Sequence, residues 1–214
     1  MDDEARRIRE ETKKNFPNMP LSKKLEYIFM YYKWGFVLLG IAILLSIGVA
    51  DWIESARTEQ ILGILAVNAG PGYTDGVGES IKETLGGGGK YEAVEVFPNA
   101  YADMETGELD YNSQISTITF LSAGQIDVIL TPDIARSNFT GSVPLVNLRE
   151  ALGTEGLSEN ASFDGPYLVL EEGSAAHALF NFAYAPVYVG VMEGCKHEEA
   201  ALKWVSILAG ITEQ

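Results

Sequence analysis

The chain has 214 residues, with 15 Lys and Arg against 30 Asp and Glu, and a formal net charge of −15 at pH 7. Residues 1–50 carry a net charge of +2 and residues 51–214 carry −17. The acidic part argues against binding to nucleic acid or anionic lipid, because both need clustered Lys and Arg. The single cysteine, Cys195, excludes an internal disulfide and a metal site built from several thiolates.

The first predicted element is a membrane-spanning helix. Residues 35–50 contain no charge, and Trp34 and Trp52 flank them as aromatic belts flank a membrane span. Lys33 and three other lysines precede the stretch closely, whereas only Arg57 lies equally close behind it. We therefore expect a single-pass protein of the cell membrane, anchored in the bilayer through residues 35–50 and by Lys33, Trp34 and Trp52. Its N-terminus would be cytoplasmic and its C-terminal domain extracytoplasmic. A buried helix and a cleaved signal peptide are the alternatives.

The predicted helix divides the chain into parts. We predict a cytoplasmic tail at residues 1–18, an interfacial segment and transmembrane helix at 19–52, a linker at 53–60 and one extracytoplasmic domain at 61–214. About 160 residues are enough for one domain with its own core.

The domain opens with alternating strand and helix patterns. Apolar runs predict strands at residues 61–67, 91–97 and 126–132, and helical spacing predicts helices at 77–85 and 111–123. In the second helix, Ile115, Ile118 and Leu121 lie near one face. The pattern predicts a three-layer α/β domain with a mostly parallel central sheet that starts βαβαβ.

Several segments carry a family resemblance. Residues 120–130, 143–152, 184–191 and 197–208 resemble packing elements of the periplasmic solute-binding proteins that serve bacterial ABC importers. The resemblance implies an α/β lobe of that family. Only about 55 residues separate Pro132 from Val187, too few for the usual second lobe. A lone lobe would present to another protein the edge where the missing lobe docks.

Ligands of open α/β sheets bind beyond the carboxyl ends of the strands. Six residues near those ends are the candidate ligand-binding residues: Asn68, Gly70, Gly72, Tyr73, Thr131 and Asp133. A tight strand-to-helix turn with no ligand is the alternative for the Gly- and Pro-rich segment.

Catalytic and metal motifs are missing from the sequence. There is no Gly-x-Ser-x-Gly elbow, and His177 and His197 stand apart from any nucleophile or metal-ligand motif. The acidic residues between 103 and 110 lack the spacing of a calcium loop, and residues 86–90 follow a helix, unlike a phosphate-binding loop. We expect no enzyme activity, no metal and no cofactor.

The sequence therefore predicts a non-catalytic binding or interaction module that docks a membrane partner or a surface ligand. One alternative is a solute receptor of an ABC-type importer that completes its cleft with another subunit. An uncharacterised hydrolase is the other alternative. Asp127 directly precedes a buried strand, so we expect its replacement to damage folding more than binding.

Overall fold

The computed structural model describes Arg7, residues 20–70 and residues 76–211. Its contacts divide the chain into two units, Met1–Arg57 and Thr58–Gln214. The boundary falls inside residues 53–60, where the sequence predicts a linker.

The first unit contains one long helix, α1 (Leu21–Arg57, 37 residues). Within the described residues, no helix combines the length and the apolar character that crossing a membrane requires. This finding contradicts the predicted transmembrane helix and the single-pass localisation with an extracytoplasmic domain. The bilayer contact through residues 35–50 stays a prediction.

The role of Lys33, Trp34 and Trp52 as membrane anchors stays a prediction. Trp34 lies in α1 with its side chain 70% exposed. The side chains of Lys33 and Trp52 lie outside the described residues.

The second unit begins with three strands that alternate with two helices. In chain order they are β1 (Glu59–Val67), α2 (Val77–Thr84), β2 (Glu92–Ala100), α3 (Tyr111–Ser122) and β3 (Val128–Pro132). β1 lies between β2 and β3 and pairs in parallel with both. Residues 62–67 of β1 are all buried, as expected for an apolar strand that is covered on both faces.

After β3 the connections change character. The remaining elements are a 3-10 helix (Asp133–Asn138), α4 (Leu148–Leu152), β4 (Ala161–Asp164), β5 (Tyr167–Leu170), α5 (Ala175–Phe180), β6 (Val187–Val191) and α6 (Glu198–Leu208). Only Gly165 and Pro166 separate β4 from β5, and so short a turn permits antiparallel pairing alone. β6 runs antiparallel to both β3 and β5.

The sheet therefore has the order β2-β1-β3-β6-β5-β4, and its last three pairings are antiparallel. The α/β class is confirmed, whereas the prediction of a mostly parallel sheet is wrong. The prediction extended the crossover pattern of the first three strands to the whole domain. The chain beyond β3 instead adds its strands by a hairpin and a returning strand.

Side chains of β1 alternate between two apolar clusters, one on each face of the sheet. The larger cluster contains residues of α2, α5 and α6, and its Phe180 and Trp204 rings lie edge to face, 6.3 Å apart. The smaller cluster contains Phe139 and Ala135 beside the 3-10 helix, with Phe120 of α3 packed against it. Helices thus lie on both faces of the sheet.

Candidate functional site

The carboxyl end of β1 is the edge where the sequence predicts a ligand. Asn68 adopts a left-handed backbone (φ 55°), and its side-chain amide exchanges two hydrogen bonds with the backbone of Ala102 at 2.8 and 2.9 Å. The N–H of Gly70 donates to the carbonyl of Phe180 at 3.0 Å. A Cβ on Gly70 would lie 1.9 Å from the carbonyl oxygen of Asn181, so only glycine fits. Asn68 and Gly70 therefore have structural roles at this edge of the sheet, because their polar groups bond within the domain.

The other predicted ligand residues occupy different environments. Thr131 is completely buried, and its hydroxyl lies 3.3 Å from the carbonyl oxygen of Pro132. Asp133 is exposed and pairs with Arg136 at 3.1 Å. Gly72 and Tyr73 lie outside the described residues. The ligand-binding role of the six residues therefore stays a prediction. Because Thr131 is buried, its hydroxyl does not join a polar surface with the residues at the end of β1.

Arg136 lies in a cluster of aromatic and acidic side chains that was not predicted from the sequence. Its guanidinium lies 4.4 Å from the ring centre of Tyr188 and 5.6 Å from that of Tyr167. It also pairs with Asp133 and with Asp164, whose carboxylate lies in the β4–β5 hairpin. Stacking and ion pairing together satisfy the guanidinium. The cluster joins the 3-10 helix to the antiparallel strands and serves the fold.

Asp127 is completely buried just before β3. One carboxylate oxygen accepts the N–H of Gly63 at 2.7 Å and Nδ1–H of His197 at 2.9 Å. Burial and, to a smaller extent, the charge of Asp127 raise the pKa of the neighbouring Cys195 thiol to about 12. A thiol that stays protonated is a poor nucleophile. The cluster ties β1 and the start of β3 to the segment that begins α6.

His177 bonds to a serine. Its Nε2 lies 2.8 Å from the carbonyl oxygen of Tyr184, which must accept, so its Nδ1 accepts the hydroxyl of Ser174 at 2.9 Å. Ser174 is the N-cap residue of α5, and His177 lies three positions later. Pairs of side chains at this spacing are common at the N-termini of helices. The group that orients the ring is a backbone carbonyl, and among the described residues no carboxylate bonds to this pair to complete a triad.

The acidic loop, residues 103–110, uses two of its carboxylates locally. Hydrogen bonds from the backbone N–H groups of Thr106 and Glu105 hold the pKa of Asp103 below its ordinary value. Asp110 accepts the N–H of Ser113 at 2.8 Å and caps α3. In the described part of the chain, no three His, Cys, Asp or Glu side chains are placed to hold a metal ion.

The outer face of α3 is apolar and exposed. It consists of Tyr111, Ile115 and Ile118, which are 74%, 48% and 58% exposed. The spacings of four and three residues place them in one stripe. No residue of α3 is charged, and no Lys or Arg occurs between residues 91 and 135. The stripe thus lies in a long segment of the acidic domain that contains no Lys or Arg.

The two most deeply buried residues of α3 are polar. Ser113 and Thr117 are 1% and 4% exposed. The hydroxyl of Ser113 accepts the N–H of Tyr101 at 2.8 Å. The hydroxyl of Thr117 has no hydrogen-bond partner among the described residues.

A cavity of about 150 Å³ lies between α3 and the carboxyl end of β2. Residues 96–98 and Ala100 of β2, Leu65 of β1, and Ser116, Thr117 and Phe120 of α3 line it. Five of these eight residues are partly exposed, so solvent reaches the cavity. The cavity and the outer face are two surfaces of the same helix, and together they form the candidate functional site.

The sequence predicts that the two isoleucines of α3 share a face with Leu121. It does not predict that the isoleucines are exposed on the surface. The signal that was overlooked is the spacing of hydroxyl residues at 113 and 117, which is as helical as that of the isoleucines. The capping carboxylate of Asp110 was also visible, as an Asp placed three residues before a Ser.

Comparisons with known proteins give no relatives: no protein-family model, no curated protein and no solved structure matches this chain. The resemblance to solute-binding proteins therefore stays a prediction.

Proposed function

We propose that the unit Thr58–Gln214 is a non-catalytic docking module that binds a partner protein on the outer face of α3. The observation that carries this proposal is an exposed apolar stripe on a helix without charge. Exposed apolar patches on a folded domain mark interaction sites when they are contiguous and rimmed by polar residues.

The surroundings of the stripe define the partner. The acidic loop leads directly into α3, and Glu105 and Glu108 are exposed in it. No Lys or Arg lies between residues 91 and 135, so all the charges in the segment that contains the stripe are negative. The complementary surface has an apolar centre and a basic rim, because opposite charges attract the partner and steer its approach. A second copy of this acidic domain would be repelled.

The other polar clusters support a non-catalytic role. Cys195 is held as a protonated thiol, and Asp127 and His197 bond to each other and to backbone groups. At the strand edge where a solute receptor would hold its ligand, Asn68 and Gly70 bond within the domain. The outer face of α3 keeps its binding capacity, because its exposed apolar side chains are not covered by the fold.

A pair of synthetic helical peptides tests the proposal. Both carry the same leucine stripe, and one has lysines and the other glutamates on its remaining positions. We expect the full-length protein to bind the lysine peptide in fluorescence anisotropy, with an affinity that falls as salt is raised. Glutamate-peptide binding of equal strength would contradict the proposed basic rim.

Two variants locate the binding surface. Replacing both Ile115 and Ile118 with Ser is expected to weaken lysine-peptide binding at least about tenfold, because two apolar contacts are lost. Ile207→Ser is the matched control, since Ile207 is an exposed isoleucine on α6. Equal binding by the double variant and the control would place the peptide elsewhere.

A photo-crosslinking amino acid at position 118, with position 207 as control, then identifies the natural partner in cells. We expect a crosslink from position 118 alone, to a peptide that carries apolar residues next to Lys or Arg. Crosslinks of equal yield from both positions, or to an acidic peptide, would contradict the proposal.

A further inference from the structure

The cavity between α3 and β2 is small. Its volume is about 150 Å³, below the roughly 300 to 1,000 Å³ of typical small-molecule sites. An apolar cavity of about 150 Å³ holds a single benzene ring. None of the described residues that line it is charged, and two of them, Phe97 and Phe120, have ring centres 4.4 Å apart. The cavity therefore has the size and the chemistry to accept one large apolar side chain.

The cavity opens beside the exposed stripe of α3. Ser116 lines it and directly follows Ile115 of the stripe, which places the two side chains about 100° apart around the helix axis. Ser116 is partly exposed, as are four of the other residues in the wall. A partner that covers the stripe and extends past Ser116 therefore reaches the mouth of the cavity.

The charges near the cavity determine which residues can flank this side chain. Glu95 is exposed in β2 next to Val96 of the wall, and the acidic loop leads into α3. No Lys or Arg lies between residues 91 and 135. An acidic segment would be repelled at this site, whereas a segment that contains Lys or Arg would be attracted.

We propose that the cavity binds the anchor residue of the docking partner, a single leucine or phenylalanine with Lys or Arg beside it in the partner's sequence. This inference rests on the proposed function, because the partner that covers the stripe supplies the anchor. A side chain enclosed by a cavity loses more contact with water than one that lies on a surface, so it contributes more to binding. The anchor is thus the apolar residue of the partner whose loss should weaken binding most.

Two amino-acid amides test the cavity directly, without the partner. N-acetyl-leucinamide and N-acetyl-alaninamide are titrated at millimolar concentration into the full-length protein, which is followed by NMR of its aromatic signals. We expect the leucine compound to shift the signals of Phe97 and Phe120 in a saturable way. The alanine compound should leave them unchanged, because its side chain buries too little apolar surface. No shift of either ring with the leucine compound would overturn the proposal.

A substitution that fills the cavity tests whether a bound peptide uses it. Ser116→Phe adds a ring to the wall, so we expect it to weaken binding of the lysine peptide about tenfold. Gln114→Phe is the matched control, since Gln114 is exposed on α3 and does not line the cavity. It should keep the affinity of the unaltered protein. Full affinity in Ser116→Phe would overturn the anchor and leave the docking proposal intact.

An alanine scan of the lysine peptide identifies the anchor. Each leucine of the peptide is replaced by alanine in turn, and one replacement should weaken binding to the unaltered protein at least about tenfold, more than any other. With Ser116→Phe the same replacement should weaken binding less than about twofold, because the cavity is already filled. Equal losses with the two proteins would place the anchor leucine elsewhere and overturn the proposal.

The outcomes separate this proposal from the proposed function. Weaker peptide binding by Ser116→Phe, together with unchanged binding by the double variant of Ile115 and Ile118, would contradict docking on the stripe and support the cavity as the anchor site. Binding of N-acetyl-leucinamide without any binding of the lysine peptide would contradict the docking proposal and support the cavity as a site for an apolar side chain.

Discussion

Two helices on this sheet, α6 and α3, are built in opposite ways. α6 buries Ala201, Trp204 and Val205 against the larger apolar cluster, with Glu198 and Glu199 in its first turn. α3 buries Ser113 and Thr117 and exposes its isoleucines. Both helices have nearly the same length, 11 and 12 residues, so the difference lies in which face the sheet holds.

The two helices are held in place by different interactions. The position of α6 follows from apolar burial, the main stabilising contribution in most domains. α3 is instead fixed by polar contacts at its start: Asp110 caps it, and Ser113 bonds to the backbone of Tyr101. Phe120 packs against the smaller apolar cluster, but Tyr111, Ile115 and Ile118 lie on the exposed face and are available for a partner. We therefore expect substitutions in α6 to change stability, and substitutions on the outer face of α3 to change binding.

The largest expected effect is at Trp204 of α6. This side chain is 1% exposed and contacts the ring of Phe180, so Trp204→Ala should lower the free energy of unfolding by about 3–5 kcal/mol. Urea titration followed by circular dichroism measures the change. Ile118→Ala is the comparison variant, with an expected change within about 0.5 kcal/mol. Equal losses in both variants would erase the proposed difference between the helices.

The second effect is at Asp127, which connects the sheet to the segment before α6. Asp127→Ala leaves the N–H of Gly63 and the ring of His197 without their buried acceptor, so we expect a loss of about 3 kcal/mol. Asp133→Ala removes an exposed ion pair and should cost less than about 1 kcal/mol. If Asp127→Ala unfolded at the same urea concentration as the unaltered protein but lost peptide binding, its structural role would be wrong.

Much of the first half of the domain was readable from the sequence, because β1 and β3 are continuous apolar runs and glycines end the intervening helices. The direction of β6 was not readable, since an apolar run such as Val187–Val191 looks the same in a parallel and an antiparallel strand. The direction of β6 depends on its tertiary pairing with β3 and β5.

The candidate site was harder to predict. Periodicity shows that Ile115 and Ile118 share a face but not which face the sheet covers. Here a polar face was buried, against the usual preference, because Ser113 could satisfy the backbone of Tyr101. The cavity depends on the separation of α3 from β2, which no sequence pattern encodes.

A smaller effect is expected in alkaline solution at Cys195, three residues before α6. The pKa of the Cys195 thiol is raised from 9.0 to about 12 in the folded protein, chiefly by burial. Between pH 9 and pH 12 the unfolded chain loses this proton and the folded chain keeps it. The folded state then binds more protons, so stability falls as pH rises through this range.

Comparing the unaltered protein with Cys195→Ala isolates the effect from other groups. Burial also raises the pKa of Tyr184 above its usual range, but that contribution is common to both proteins. We expect the stability of the unaltered protein, relative to Cys195→Ala, to decline above pH 9. A constant difference from pH 8 to pH 11 would show that the thiol ionises equally in both states.

The smallest expected effect on stability is on the outer face of α3, and it is the most informative about function. Ile115→Ser and Ile118→Ser replace exposed side chains, so each should change the free energy of unfolding by no more than about 0.5 kcal/mol. Their double variant should nevertheless lose the lysine peptide. A stability loss of several kcal/mol would mean that these isoleucines pack within the fold. α3 and α6 would then differ only in how much their apolar residues contribute to stability. Loss of binding at unchanged stability is the combination that a docking surface requires, because only its partner buries it.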